Sequence, residues 1–310
     1  MTTDSETRLL HELAAPTERL YDRHLAAPRD WYPHEQIDWG AGEDFGVRAW
    51  SPEDYPLDEA TRSSIYVNLL TEDNLPYYTA TLLAHAPADH PLTEWNRRWT
   101  MEENRHSMVM RDWVHLSRCL DPTALEDGRR VQMSRGETPQ PATLSTLITY
   151  VTFQERATQI AHRNTSTRLP KEDAIGRRVL GTIGGDETKH FAFYRDLAAA
   201  GYAIDPSIMV IALAAVLPSF AMPGTGIPDF SSHAVRIAAA GIYDLTTFLH
   251  DVVEPVLVTW GLDDLVGLSP EAERARENVR ASLAALERDL ERLGEVVRRR
   301  AARLEGRARA

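Results

Sequence analysis

A chain of 310 residues is long enough to bury a sizeable core, as one large domain or two ordinary ones. Its formal charge of −12 disfavours nucleic acid as a partner, because phosphate binding relies on Lys and Arg contacts that displace counterions. The single cysteine, Cys119, excludes an intrachain disulfide and fits a reducing cytoplasm, and its apolar neighbours mark it as a small core residue.

Helical periodicity dominates the sequence and alternating β-type runs are nearly absent, which predicts an all-α fold. The chain starts polar and acidic, without the character of a signal or transit peptide, so a mature cytoplasmic start is expected. A first helix over about residues 4 to 26 ends before Pro28, and an irregular stretch rich in Trp, Pro, Gly and Asp runs from Asp30 to Pro56. Residues 1–57 thus form an N-terminal segment. Four helices follow near residues 58 to 85, 92 to 120, 143 to 168 and 171 to 199. Residues 200–310 supply additional helices: an apolar one after Pro206, a loop from Met222 to Pro228, a long helix through Trp260 and a last one from Pro270. The longest apolar run, Ile208 to Leu217, is about half of what a membrane span needs, so no membrane insertion is expected. Arg298, Arg299, Arg300, Arg303, Arg307 and Arg309 read as a solvated, fraying helix face.

Each of the four middle helices has one inward stripe. Ile65, Leu69, Glu72, Thr79 and Leu83 share the first; Trp95, Trp99, Glu103, His106, Met110 and Trp113 share the second. The third carries Leu144, Leu147, Val151, Glu155, Thr158 and His162, and the fourth Val179, Ile183, Glu187, His190 and Tyr194. Carboxylates and imidazoles interrupt these apolar faces in a repeated pattern. Glu72 precedes the tetrad Glu103-Asn104-Arg105-His106 by 31 residues, and Glu155 precedes Glu187-Thr188-Lys189-His190 by 32. An i, i+3 spacing sets carboxylate and imidazole side by side on a helix, and two such helices plus two carrying one Glu each make the six-ligand di-metal site of ferritin-like bundles. Burying an unpaired carboxylate costs several kcal/mol or forces protonation, so six such groups call for the compensating charge of two metal ions. Carboxylate with neutral imidazole suits Fe(II) or Mn(II), and one cysteine excludes an iron–sulfur centre.

Two interruptions stand out. Pro76 lacks the N–H that would bond the Glu72 carbonyl, which predicts a bend at that ligand. Gly184-Gly185 sits mid-helix before Asp186-Glu187 at about 1 kcal/mol per glycine, which suggests close approach of a ligand or of a neighbouring helix.

Thr71-Glu-Asp-Asn-Leu-Pro76, Trp99-Thr-Met-Glu-Glu-Asn-Arg-His106, Phe153-Gln-Glu-Arg-Ala-Thr158, Asp186-Glu-Thr-Lys-His190 and, further on, Leu265 to Arg276 resemble in order and spacing the soluble acyl-carrier-protein desaturases, nearer the bacterial branch. The resemblance runs from about residue 31 to about residue 285. It implies a single domain over residues 1–310, of about eleven helices around a four-helix di-iron bundle at 58–199, and a homodimer. The implied reaction uses two iron ions, dioxygen and electrons from reduced ferredoxin. It inserts a cis double bond into a saturated acyl chain carried on acyl carrier protein.

Carried over by position, Glu72 and His106 would bind one iron, Glu155 and His190 the other, and Glu103 and Glu187 both. Asp186 would orient a ligand histidine and, with Trp31, form an electron route, while Thr158 would lie near the oxygen site. Leu147 and Val151 match positions that line the acyl tunnel, and Gly184 and Gly185, where many relatives carry Ala-Ala, would add space near the iron. Trp31 as a hydrophobic anchor, Thr158 bonded to its own helix and Leu147 and Val151 as core are the simpler alternatives. Ferritin-type storage and a radical subunit using Tyr77, Tyr78 or Tyr150 share the ligand spacing but fit the motif contexts less well. A carrier-protein-dependent di-iron oxygenase or tailoring enzyme and a non-catalytic acyl-carrier-binding paralogue are the alternatives to a desaturase.

Overall fold

The computed structural model describes residues 3–27 and 30–308, and no strand occurs among them. Pro28 and Arg309 lie outside the described residues, as does the side chain of Arg307. In chain order the helices are α1 (Thr3–Ala26), α2 (Pro33–Gln36), α3 (Glu59–Asp73), α4 (Leu75–Leu83), α5 (Pro91–Ser117), α6 (Pro122–Arg135), α7 (Leu144–Arg168), α8 (Ala174–Ile204), α9 (Pro206–Val216), α10 (Phe230–Ala239), α11 (Leu245–Thr247), α12 (Glu254–Trp260) and α13 (Pro270–Ala308). The four middle helices start on side-chain caps that satisfy otherwise unpaired N–H groups: Asp58 accepts from Thr61, His90 from Leu92, Thr143 from Thr146 and Asp173 from Gly176.

The first ligand helix is broken, as Pro76 requires. The Asn74 N–H turns back to the Thr71 carbonyl at 3.1 Å, and α4 restarts with Pro76 in its first turn. The break also rotates the buried face. Leu75, Tyr78 and Leu82 point inward beyond it, whereas Thr79 is half-buried and Leu83 exposed, against the single stripe expected for an unbroken helix.

A second correction concerns the long helix expected through Trp260. It is divided into α10, α11, a π-helical turn at Phe248–Val253 and α12. Gly241, at φ +67°, ends the first piece, and Asp244 caps the next by accepting from the Thr247 N–H. With these divisions the described residues form thirteen α-helices where about eleven helices were expected, and α6 fills a stretch for which no element was predicted.

α3 with α4, α5, α7 and α8 form the bundle. α1 packs on α8 and α5, while α13 lies against α9 and α10. The core is in two apolar halves. One holds Trp95, Trp99, Leu147, Phe153, Phe193 and Tyr194; the other holds Ile65, Leu69, Met110, Trp113, Val179 and Ile183. Along both α5 and α8 the halves are separated by the Glu and His positions, so the polar residues form a layer across mid-bundle. Cys119 is buried, as expected.

Arg118, left-handed at φ 59°, fastens the irregular N-terminal segment. It donates to Asp54 at 2.6 Å and to the carbonyls of Arg48 and Ala49, both at 2.8 Å. That bond from Arg118 holds the Asp54 carboxyl down at about 2, below its ordinary 3.8. A carboxyl depressed by folding contributes stability that is complete above its unfolded value and is lost as pH falls through its folded one. The indole of Trp50 donates to the Arg118 carbonyl at 2.9 Å. Its fluorescence should therefore change between about pH 4 and pH 2, and Asp54→Asn should remove that change.

Candidate metal centre

All six repeated residues meet in the mid-bundle layer, each buried. Ligand-type atoms of Glu72, Glu103, His106 and Glu187 lie within 4.8 Å of one another, as do those of Glu103, Glu155, Glu187 and His190. The two sets share Glu103 and Glu187. His106 Nδ1 is 3.3 Å from Glu103, 3.5 Å from Glu187 and 3.7 Å from Glu72. His190 Nδ1 is 2.7 Å from Glu103, 3.6 Å from Glu155 and 3.8 Å from Glu187.

These contacts are close without being well-formed hydrogen bonds: Glu103 Oε1, both ring nitrogens of His106 and Nδ1 of His190 lack a partner of proper geometry. Among the described residues no Lys or Arg pairs with Glu72, Glu103, Glu155 or Glu187. Four carboxylates without a Lys or Arg partner are an anionic cluster, and among the described residues imidazoles face them: His162 beside Glu72 and, within the cluster, His106 and His190. Burial pulls the His106 and His190 imidazoles down, but the surrounding carboxylates outweigh it and hold their pKa values well above 6.5. Burial and the neighbouring Glu187 charge drive the Glu155 carboxyl well up, and Glu103 is raised for the same two reasons. Two hard cations fit the same donor set, displacing protons from imidazole and carboxyl alike.

The groups behind the cluster are crossed between α5 and α8. Asp186, which precedes Glu187, approaches Nε2 of His106 at 3.5 Å, accepts from Trp31 Nε1 at 2.7 Å and from Lys189 at 2.9 Å. Glu102, which precedes Glu103, meets Nε2 of His190 at 2.8 Å, lies 3.0 Å from His24 of α1 and accepts from Arg98 at 2.5 Å. Burial alone would raise both acids; His106 holds Asp186, and His190 with His24 hold Glu102, far below the usual carboxylate range. Glu102 therefore orients the His190 ring from the other helix, and Asp186 stands in the corresponding place behind His106. Asp186 and Trp31 were expected here. Glu102 and His24 were not, although Glu102-Glu103-Asn104-Arg105-His106 and Asp186-Glu187-Thr188-Lys189-His190 align position by position. Trp31 also stacks parallel to His106 at 6.3 Å, under the Arg105 guanidinium at 4.9 Å.

A third histidine completes the site. Nε2 of His162 bonds Glu72 at 3.0 Å, while the Trp99 indole donates to Glu155 at 3.0 Å. Burial pushes the Glu72 carboxyl up, and contacts from His106 and His162 outweigh it, leaving it below its ordinary value. Beside Glu72 lies a cavity of about 220 Å³ between α3, α7 and α10, lined by Thr158, His162, Val67, Phe230 and others. Thr158 bonds the Gln154 and Glu155 carbonyls at 3.2 and 3.0 Å, the simpler of the two roles weighed for it, and it also lines this cavity.

Leu147 and Val151 stand on the other side, with Tyr78, Tyr150 and Trp99, around a space of only about 20 Å³. The glycine pair was expected to admit either a ligand or a neighbouring helix. A Cβ on Gly184 would sit 3.2 Å from Arg163 Cγ and 3.7 Å from the Gln159 carbonyl, while one on Gly185 would meet nothing within 4 Å. On Gly184 the neighbour is α7, and neither glycine lines the cavity beside Glu72. Gly185→Ala should accordingly stabilise α8 by up to about 1 kcal/mol, and Gly184→Ala by less because Arg163 must move. Melting curves with product analysis check this, and neither variant should alter the product.

The sequence model described as fatty acid desaturase matches residues 5–308. The Mycobacterium tuberculosis protein named as acyl-[acyl-carrier-protein] desaturase DesA1 is 34% identical over 298 residues, covering 93% of this chain and 86% of that protein. The chloroplastic stearoyl-[acyl-carrier-protein] 9-desaturase of Spinacia oleracea is 29% identical over 82% of this chain and 72% of that one. The crystal structure of DesA2 from M. tuberculosis superposes with a TM-score of 0.69 over 86% of this chain and 99% of that chain, at 22% identity, and shows the same all-α fold.

Proposed function

We propose that this chain, which belongs to the fatty acid desaturase family, is an oxygen-dependent desaturase that inserts a cis double bond into a saturated acyl chain held as a thioester on acyl carrier protein. Two iron ions would be its cofactor: Glu72 and His106 would hold one, Glu155 and His190 the other, and Glu103 and Glu187 belong to both ligand sets. The observation that carries this reading is the pair of overlapping four-residue sets with two carboxylates in common, buried beside an apolar cavity. When bound, the ions supply redox chemistry able to activate dioxygen and remove hydrogen from an unactivated methylene, which side chains cannot do.

The chain's own groups do the rest. The apolar wall of the cavity excludes water from the reacting carbons and holds the chain against Glu72. His162 fixes the Glu72 carboxylate through one oxygen and leaves the other facing His106. Glu102 fixes the ring of His190, and Asp186 stands behind that of His106, in the orientation that turns both Nδ1 atoms toward the shared carboxylates. The buried Trp31 indole, bonded to Asp186, is the route by which electrons from a ferredoxin arrive.

The family resemblance further carries a homodimer in the cytoplasm and a single domain over residues 1–310. The match over residues 5–308 supports the last of these. No helix among the described residues is long and apolar enough to cross a membrane.

The test is reconstitution with Fe(II) without oxygen, followed by oxygen, reductant and a panel of acyl-carrier-protein thioesters. Products that have lost two hydrogens support the proposal. Products that gain one oxygen make the chain an oxygenase, and binding without turnover makes it an acyl-carrier-binding protein.

A further inference from the structure

The cavity beside Glu72 is apolar over most of its wall, through Val67, Ala161, Met222, Phe230, Ala234 and Ile237. Three of its lining residues nevertheless carry buried polar atoms without a hydrogen-bond partner: Asn68 Nδ2, His162 Nδ1 and the Tyr243 hydroxyl. The other hydroxyls on the same wall are provided for. Ser64 pairs with Thr165 at 2.7 Å, Thr71 donates to the Pro223 carbonyl at 3.3 Å and Thr158 bonds its own helix. Sealing a hydrocarbon against an unpaired buried donor or acceptor is unfavourable, and a purely saturated chain would do so three times.

The three groups are complementary in kind. Asn68 Nδ2 is a donor only. His162 Nε2 faces a carboxylate oxygen of Glu72, which leaves the ring's Nδ1, a donor or an acceptor by tautomer, without a partner. The Tyr243 hydroxyl does either. Their common partner is a neutral group that both donates and accepts.

Two features of the surroundings fix its depth. Tyr243 and Met222 also line an open groove of about 420 Å³ against α13, so they stand where the surface meets the buried cavity. Beyond the carboxylates, the space at Tyr78, Leu147, Tyr150 and Val151 is only about 20 Å³, which leaves little room for a long tail past Glu72.

Resting on the desaturase reading of this site, we propose that the acyl thioester taken by this chain presents a neutral hydroxyl or amide to Asn68, His162 and Tyr243, a short reach from the methylenes beside Glu72. The group has two sources of the same chemistry. It is a hydroxyl on the acyl chain itself, or it is an amide of the carrier's pantetheine arm drawn inward by a short acyl chain.

The experiment measures binding, not turnover, to the full-length iron-loaded protein kept free of oxygen. Three non-hydrolysable pantetheine thioether probes are titrated: a long saturated acyl chain, the same chain with a mid-chain hydroxyl, and a short saturated chain. The expected result is at least tenfold tighter binding of the hydroxylated or the short probe than of the long saturated one, and which of the two wins identifies the source. Tyr243→Phe and Asn68→Leu should each lose most of that preference while binding the long saturated probe as well as before or better. Tyr243→Phe removes a single oxygen, so it keeps the test open where Asn68→Leu fails to fold. Equal binding of all three probes, or equal losses for all three in Tyr243→Phe, would overturn the inference alone and leave a hydrated cavity with no role in selection. Binding of none of them would remove the acyl-site reading and the inference with it.

Discussion

Glu103→Ala or Glu187→Ala is expected to lower turnover by more than about a hundredfold and to reduce bound iron, because each carboxylate belongs to both ligand sets. Removing either leaves two cations facing three carboxylates, so the charge balance of the buried layer fails for both ions together. The fold should persist, since the apolar halves on either side of the layer are untouched. Iron analysis and product assays on each variant check this. Full turnover with undiminished iron in either would show that the shared position has been misassigned.

Glu102→Ala has the second large effect, although Glu102 touches no metal-facing atom. Its carboxylate is buried among His190, His24 and Arg98, and removing it leaves Arg98 and the raised His190 imidazole without their acidic partner. Breaking a buried, hydrogen-bonded charge cluster from one side typically costs about 3 to 5 kcal/mol. The metal-free chain should therefore unfold at lower denaturant, and iron affinity should drop about 10- to 100-fold through the misoriented His190 ring. Glu102→Gln retains the shape and should recover part of the stability. If Glu102→Ala unfolds like the parent chain and holds iron as tightly, Glu102 is not what orients the His190 ring.

The metal layer was legible because it rests on periodicity. Helical spacing brings Glu103 to His106 and Glu187 to His190 whatever the loops do, and an interrupted apolar stripe marks a buried polar position. Pro76 was legible for the same reason, since a missing N–H has only one consequence in a helix. What followed the break was not, because the restart at Asn74 sets the rotation of α4 by tertiary packing; hence Tyr78 and Leu82 face inward in place of Thr79 and Leu83. The division of the helix through Trp260 was missed because its signal, Gly241 followed by the Asp244 cap, is short beside the apolar periodicity around it.

Glu102 shows a different limit. An acid beside a ligand reads as solvated until its partner is known, and its partners His24 and His190 are 78 and 88 residues away in sequence. The glycine pair left two alternatives open, space for a ligand or close approach of a neighbouring helix, and only Gly184 has a neighbour within reach, on α7.

The central claim is that the duplicated Glu and Glu-x-x-His arrangement builds one two-ion site per chain. Iron and protein should be quantified together in protein loaded with Fe(II) without oxygen and freed of loosely bound metal. The account predicts a ratio near two ions per chain. A ratio of one or none in fully loaded protein would contradict it.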